Sequence, residues 1–172
     1  MKVVYISKKN VNDINEWSGS ANGILRCLKY ANFEVELIHD FSFKFQFFLK
    51  IVELFYRIFK IKYDPDRSII IAKVHANYIK KKLKNKNYDF IISYDSTLIS
   101  FLEKKIPIIL WTDLTFDLYQ KTYFRSYKSF NKSCIKNGNY LEKKALEKVF
   151  KIFYSSTYSK NNAIEIYNIN EK

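Results

Sequence analysis

Short apolar runs alternate with helical patterns along the whole chain. Val3, Val4, Tyr5 and Ile6 form a continuous β-branched and aromatic stretch after Lys2, the pattern of a strand covered on both faces in a parallel sheet. A long polar turn follows. Ser18-Gly19-Ser20-Ala21-Asn22-Gly23 then leads into Ile24, Leu25, Leu28 and Ala31 at helical spacing. Glu34 to His39 alternates Val35 and Leu37 with Glu34 and Glu36, which predicts a second strand reached by a helical crossover. Phe41 to Ile61 predicts an amphipathic helix. Lys50, Glu53, Arg57 and Lys60 recur at three- and four-residue steps, and Phe47, Phe48, Ile51, Leu54, Phe55, Ile58 and Phe59 fill the other arc. Its interspersed charges argue against a membrane span. Asp64-Pro65-Asp66 breaks it, and Ser68 to Lys86 predicts another helix with Ile71, Val74, Tyr78, Ile79 and Leu83 facing a core.

The second half continues the alternation. Phe90-Ile91-Ile92 is a third strand, Ser96 to Lys104 a short helix, and Ile108-Ile109-Leu110 a fourth strand that stops at Thr112-Asp113. Leu114 to Tyr127 is mixed aromatic and basic. Tyr140 to Val149 is helical, Lys151 to Tyr154 is a fifth strand, and Ser155-Ser156-Thr157 caps a last helix. Five apolar strands separated by helices, without a tight hairpin signal, predict an α/β doubly wound parallel sheet, a single Rossmann-like domain over residues 1–172. In such a sheet the ligand site lies outside the C-terminal strand ends. Here those ends are Ser7 with the Ser18-Gly19-Ser20 loop, Tyr94-Asp95, Thr112-Asp113 and Ser155-Ser156.

Composition narrows the chemistry. Hydrophobic residues at 48% and aromatics at 18% exclude a disordered chain. Cys27 and Cys134 stand alone, and His39 and His75 lie far apart, so neither a disulfide framework nor a metal cage is expected and a reducing, cytoplasmic setting is. There is no GxGxxG, no GxxxxGK[ST] and no GxSxG elbow, which removes dinucleotide, P-loop and serine-hydrolase readings. A flavodoxin-type or receiver-like domain lacks its phosphate loop or its acidic site. With 30 basic and 17 acidic residues the chain carries a net charge of +13, which admits a non-catalytic module binding an anionic membrane surface or nucleic acid. Lysine is spread along nearly every segment, and that argues against nucleic acid.

At the strand ends, Gly19 lets the backbone approach an anion ahead of a helix N-terminus, or simply makes a turn with Ser18 or Ser20 as a cap. Asp113 follows a buried strand, where a carboxylate accepts a hydroxyl proton or holds a sugar hydroxyl, or caps the next helix. Asp95, before Ser96-Thr97, reads as a cap first.

The order of these segments resembles the N-terminal domain of GT-B glycosyltransferases of the family-4 retaining type. The resemblance runs through Trp17-Ser18-Gly19-Ser20, Phe33-Glu34-Val35-Glu36-Leu37-Ile38, Tyr88 to Ser93, Ile106 to Phe116, Glu142 to Leu146, and Lys151 to Ser156 with Tyr158-Ser159-Lys160. It implies the acceptor-binding half of an enzyme that moves a sugar from a nucleotide-sugar donor to a glycan or lipid-linked acceptor in envelope or polysaccharide synthesis, without a cofactor or catalytic metal. It places Gly19, Ser18 and Ser20 by the donor diphosphate, Asp113 beside the reacting sugar as the catalytic candidate, and Ser155 and Ser156 on the cleft floor; Asp95 and Thr112, at strand ends, are further substrate-binding candidates. The donor-binding half has no counterpart in this sequence, so the resemblance implies an incomplete donor site, inactive until a separate chain supplies it. It also implies peripheral contact of the Phe41 to Ile61 helix with the inner face of the cell membrane; packing on the sheet is the competing expectation.

Overall fold

The computed structural model of the chain describes residues 1–39, 41, 46–59, 61–123 and 131–170, with the side chains of 46–48 left aside. Five strands, β1 (Lys2–Ile6), β2 (Glu34–Ile38), β3 (Phe90–Ser93), β4 (Ile108–Thr112) and β5 (Lys151–Tyr154), form one sheet in the order β2-β1-β3-β4-β5. Every pairing is parallel, with Tyr5 opposite Leu37 and Ile92, and Ser93 opposite Leu110. The doubly wound α/β class expected from the apolar runs is therefore the one observed. The order reverses between β1 and β3, so the crevice beyond those two strand ends is the topological switch point.

Strand alternation divides the core. Val3, Tyr5 and Ile92 point to one face and pack against Ala21, Ile24, Leu25 and Leu28 of α1 (Ser20–Tyr30). Val4, Ile6, Ile91, Ile108, Leu110 and Ile152 point to the other. That face is covered by α3 (Ile69–Leu83), the four-residue α4 (Ser96–Ile99), α6 (Lys132–Lys148) and α7 (Thr157–Tyr167). Beyond the reach of α1, Trp111 and Phe153 sit side by side on β4 and β5 with ring centroids 5.3 Å apart, 36% and 43% exposed.

Boundaries move where packing overrides local pattern. The helix expected over Phe41 to Ile61 is α2 (Gln46–Ile58); Ser42 to Phe45, Lys60 and the side chains of Phe47 and Phe48 lie outside the described residues, as do Phe124 to Tyr127 and Glu171-Lys172. The helix expected from Ser96 to Lys104 ends at Ile99, and the one expected from Tyr140 begins at Lys132, where Asn131 accepts the Ser133 amide at 2.8 Å. That earlier start carries Gly138 into the middle of α6, where a glycine lowers helix propensity. A methyl group there would overlap the ring of Phe116, at the start of α5 (Phe116–Tyr123), so close approach of α5 to α6 explains the glycine.

Candidate functional site

A cavity of about 320 Å³ opens at the C-terminal ends of β3 and β4. Tyr94, Asp95 and Ser96 follow β3, Thr112 and Asp113 close β4, and Trp17 leans in from the loop after β1. Arg67, in a short 3-10 turn before α3, and Glu142 of α6 complete the polar wall, with Phe116, Tyr119 and Tyr123 along α5. Sequence reasoning placed Asp95, Thr112 and Asp113 here, and the structure brings these three together.

The Trp17 loop is held in an unusual backbone. Trp17 (φ 49°), Ser18 (φ 51°) and Gly19 (φ 85°) are successive left-handed residues, a conformation costly for side chains other than glycine. The structure over-determines it. Trp17 stacks on Tyr94 at 5.0 Å, Tyr94 donates to Glu16 at 3.0 Å, and Lys9 pairs with Glu16 at 2.8 Å. Gly19 is the N-cap of α1 and Ser20 its first residue; no side chain caps that helix, so neither serine does the capping that was the alternative to an anion site. Ser18, Gly19 and Ser20 do not line the cavity; only Trp17 of their loop does.

Asp95 is fully committed. One carboxylate oxygen accepts from the Thr97 amide at 2.8 Å and its hydroxyl at 2.6 Å, which caps α4, and the other pairs with Lys8 at 3.1 Å. Burial alone would raise its pKa, but Lys8, Arg67 and Thr97 outweigh burial and hold it well below the ordinary carboxylate range. Lys8 also pairs with Asp66 at 2.7 Å; burial works against its charge, and Asp95 and Asp66 overcome that and raise its pKa. Glu142 is the opposite case. It is 3% exposed, accepts a close hydrogen bond from the Ser96 hydroxyl, and burial pushes its pKa up despite Ser96 and Arg67. Two neighbouring carboxyls thus differ, one held ionised and one pushed toward the neutral acid that can donate a hydrogen bond.

Arg67 lies with its guanidinium 4.3 Å over the Phe116 ring, its Nε 3.4 Å from Asp64, and among the described residues no acceptor meets its terminal nitrogens. Asp113 is half-buried, and no described residue donates to its carboxylate. It is not a helix cap: α5 begins three residues later, and Thr115 takes that role by accepting the Leu118 amide at 3.2 Å. Ser155 and Ser156 have tasks other than the cleft floor. The Ser155 hydroxyl donates to the Asp113 carbonyl at 3.2 Å, Ser156 caps α7, and neither lines the cavity. Ser159 also donates to the Asp113 carbonyl, so the turn that presents the carboxylate is fastened from behind.

Arg67 and Glu142 were missed as site residues. Glu142 had a readable signal, since it falls on the same helical stripe as Leu141, Ala145 and Leu146, where a carboxylate is out of place unless partnered. Arg67 had none beyond its place after Asp64-Pro65-Asp66. Among the described residues no three His, Cys, Asp or Glu side chains gather as metal ligands would, and His75 is buried in α3 beside Phe41, its pKa lowered by burial. Matching the chain against protein-family models and against curated proteins returns no relative. The fold and the cavity define a doubly wound α/β domain with a polar, aromatic-lined crevice beyond β3 and β4, next to its switch point.

Proposed function

We propose that the domain is the acceptor-side lobe of a glycosyltransferase of GT-B architecture, and that the crevice receives the acceptor sugar. The observation that carries this reading is the Asp113 carboxylate, free of described partners, standing in a crevice walled by Trp17, Tyr94, Phe116, Tyr119 and Tyr123. Aromatic faces suit the C–H faces of a pyranose ring, and carboxylates accept its hydroxyls. Asp113 accepts the proton of the attacking hydroxyl or orients it. With Asp95 paired to Lys8 and Glu142 pushed toward the neutral acid, Arg67 is the cation set against Asp113 in the described wall, a near-neutral balance that suits a neutral polyol better than a diphosphate. The nucleotide-sugar donor therefore belongs mainly to a second lobe, on this polypeptide or another, with the N-terminus of α1, which no side chain caps, facing its diphosphate.

The same reading puts the domain on the inner face of the cell membrane with a lipid-linked acceptor. No described helix is long and apolar enough to cross a membrane. In α2, Ile51, Leu54, Phe55 and Ile58 form a stripe 50–71% exposed, next to Lys50 and Arg57, as an interfacial helix requires. A non-catalytic membrane module is the second reading, and this stripe is what favours it.

Isotope-labelled protein titrated with neutral oligosaccharides tests the proposal. Shifts at Asp113, Tyr119 and Glu142 support it, and shifts confined to other surfaces overturn it. With a donor lobe present, Asp113→Asn is expected to lower transfer by about 10²- to 10⁴-fold with unchanged folding. Saccharide-blind protein that still sediments with phosphatidylglycerol vesicles supports the second reading.

A further inference from the structure

A second cavity, of about 550 Å³, lies at the N-terminal end of the sheet. Its apolar walls are Leu83, Ile91, Leu102 and Ile106; Ile91 and Leu102 belong to the core, so the floor of the cavity is the core itself. Five lysines ring it: Lys80, Lys81, Lys84, Lys86 and Lys105. Their compensation is incomplete. Lys80 and Lys105 share Glu103, each at 3.1 Å, and Lys86 takes Glu36 at 2.6 Å. Among the described residues Lys81 and Lys84 have no acidic partner. The excess is felt nearby: Lys148 donates to the Ser100 and Leu102 carbonyls at 2.6 Å, and its pKa is lowered to about 8 by burial and by Lys144, Lys104 and Lys80.

An apolar floor alone would take a neutral ligand, and a lysine rim alone would take any polyanion. The two together select a molecule with an apolar body and one anionic end, and the volume falls within the roughly 300–1,000 Å³ of small-molecule sites. We propose that this cavity binds a free single-chain carboxylate amphiphile, its tail against Leu83, Ile91, Leu102 and Ile106 and its head at Lys81 and Lys84. The dipole of α3 favours the lysines of its last turn, and the stems of Lys80 and Lys84 cover the tail.

Calorimetry and methyl-detected NMR of the full chain with decanoate, below its micelle concentration, test the site. Saturable one-to-one binding with shifts at Leu102 and Ile106 is expected. Decanol should bind at least tenfold more weakly, and so should decanoate to a Lys81→Gln/Lys84→Gln protein, whose melting temperature should match that of the parent because both side chains are exposed. Equal binding of decanol and decanoate overturns the proposal, as does full binding by the double variant. Binding to phosphatidylglycerol vesicles or an oligonucleotide without any response to decanoate also overturns it, by assigning the lysines to a surface.

Discussion

The two ends of the sheet are built on opposite electrostatic plans, and the parallel topology accounts for both. In a βαβ chain every helix begins near the C-terminal strand ends and finishes near the N-terminal ends, so helix dipoles align. At the crevice end, acids stand at helix starts: Asp95 caps α4, Asp117 lies in the first turn of α5, and Asp64 caps the turn before α3. At the far end, Lys80, Lys81 and Lys82 occupy the last turn of α3, and Lys148 the last turn of α6. At the crevice Asp95, Lys8 and Asp66 are paired in a network and Asp113 stands apart from it; the basal lysines are mostly exposed around an apolar hollow. The net charge of +13 conceals this division.

Removing a member of the buried network should have the largest effect. Asp95→Ala leaves Lys8 and Arg67 facing each other without their shared acid and uncaps α4; a loss of about 3–5 kcal/mol in urea unfolding is expected. A loss near zero would mean the crevice charges are as independent as the basal ones. Gly138→Ala comes next. Overpacking against Phe116 should cost about 1–3 kcal/mol, exceeding the roughly 1 kcal/mol gained in helix propensity, and should move Phe116 from under Arg67.

Titration gives a finer contrast. The folded pKa of Glu142 is raised, so the native state binds its proton more tightly than the unfolded chain does. That stabilisation is complete below about pH 4.3 and is lost as pH rises through the folded value. Glu142→Gln, which stays neutral, should therefore gain stability relative to the parent as pH rises through that folded value. A pH-independent difference would show that the carboxyl ionises as freely as one in solvent. Lys148 has the opposite sign: its folded value of about 8 lies below the ordinary 10.5, so stability rises with pH across that window, and Lys148→Met should remove the rise. The smallest effect belongs to Lys81→Gln/Lys84→Gln, expected within about 0.5 kcal/mol of the parent by thermal melting.

The strands were legible because each is a run of β-branched or aromatic residues long enough to identify alone, and their parallel pairing followed from helices between them. Asp113 was legible for the same reason, since a strand end can be read from where apolar residues stop. The rest of the crevice depends on distance in sequence. Arg67 and Glu142 come from elements with two strands, β3 and β4, between them in the chain, and meet over Phe116 only because Gly138 lets α5 lie against α6. The left-handed Trp17 and Ser18 violate local preference, which no propensity argument would predict for an indole-bearing residue. It also changes the use of Gly19: at φ 85° a valine there strains the backbone, so Gly19→Val is a folding variant first and a poor probe of ligand contact.

The stacking of Trp17 on Tyr94 has a practical consequence. The chain holds two tryptophans, and the other, Trp111, lies outside the crevice beside Phe153. A Trp111→Phe protein would keep one indole, seated at the crevice mouth. Its fluorescence emission and quenching would report occupancy of that mouth without any attached dye.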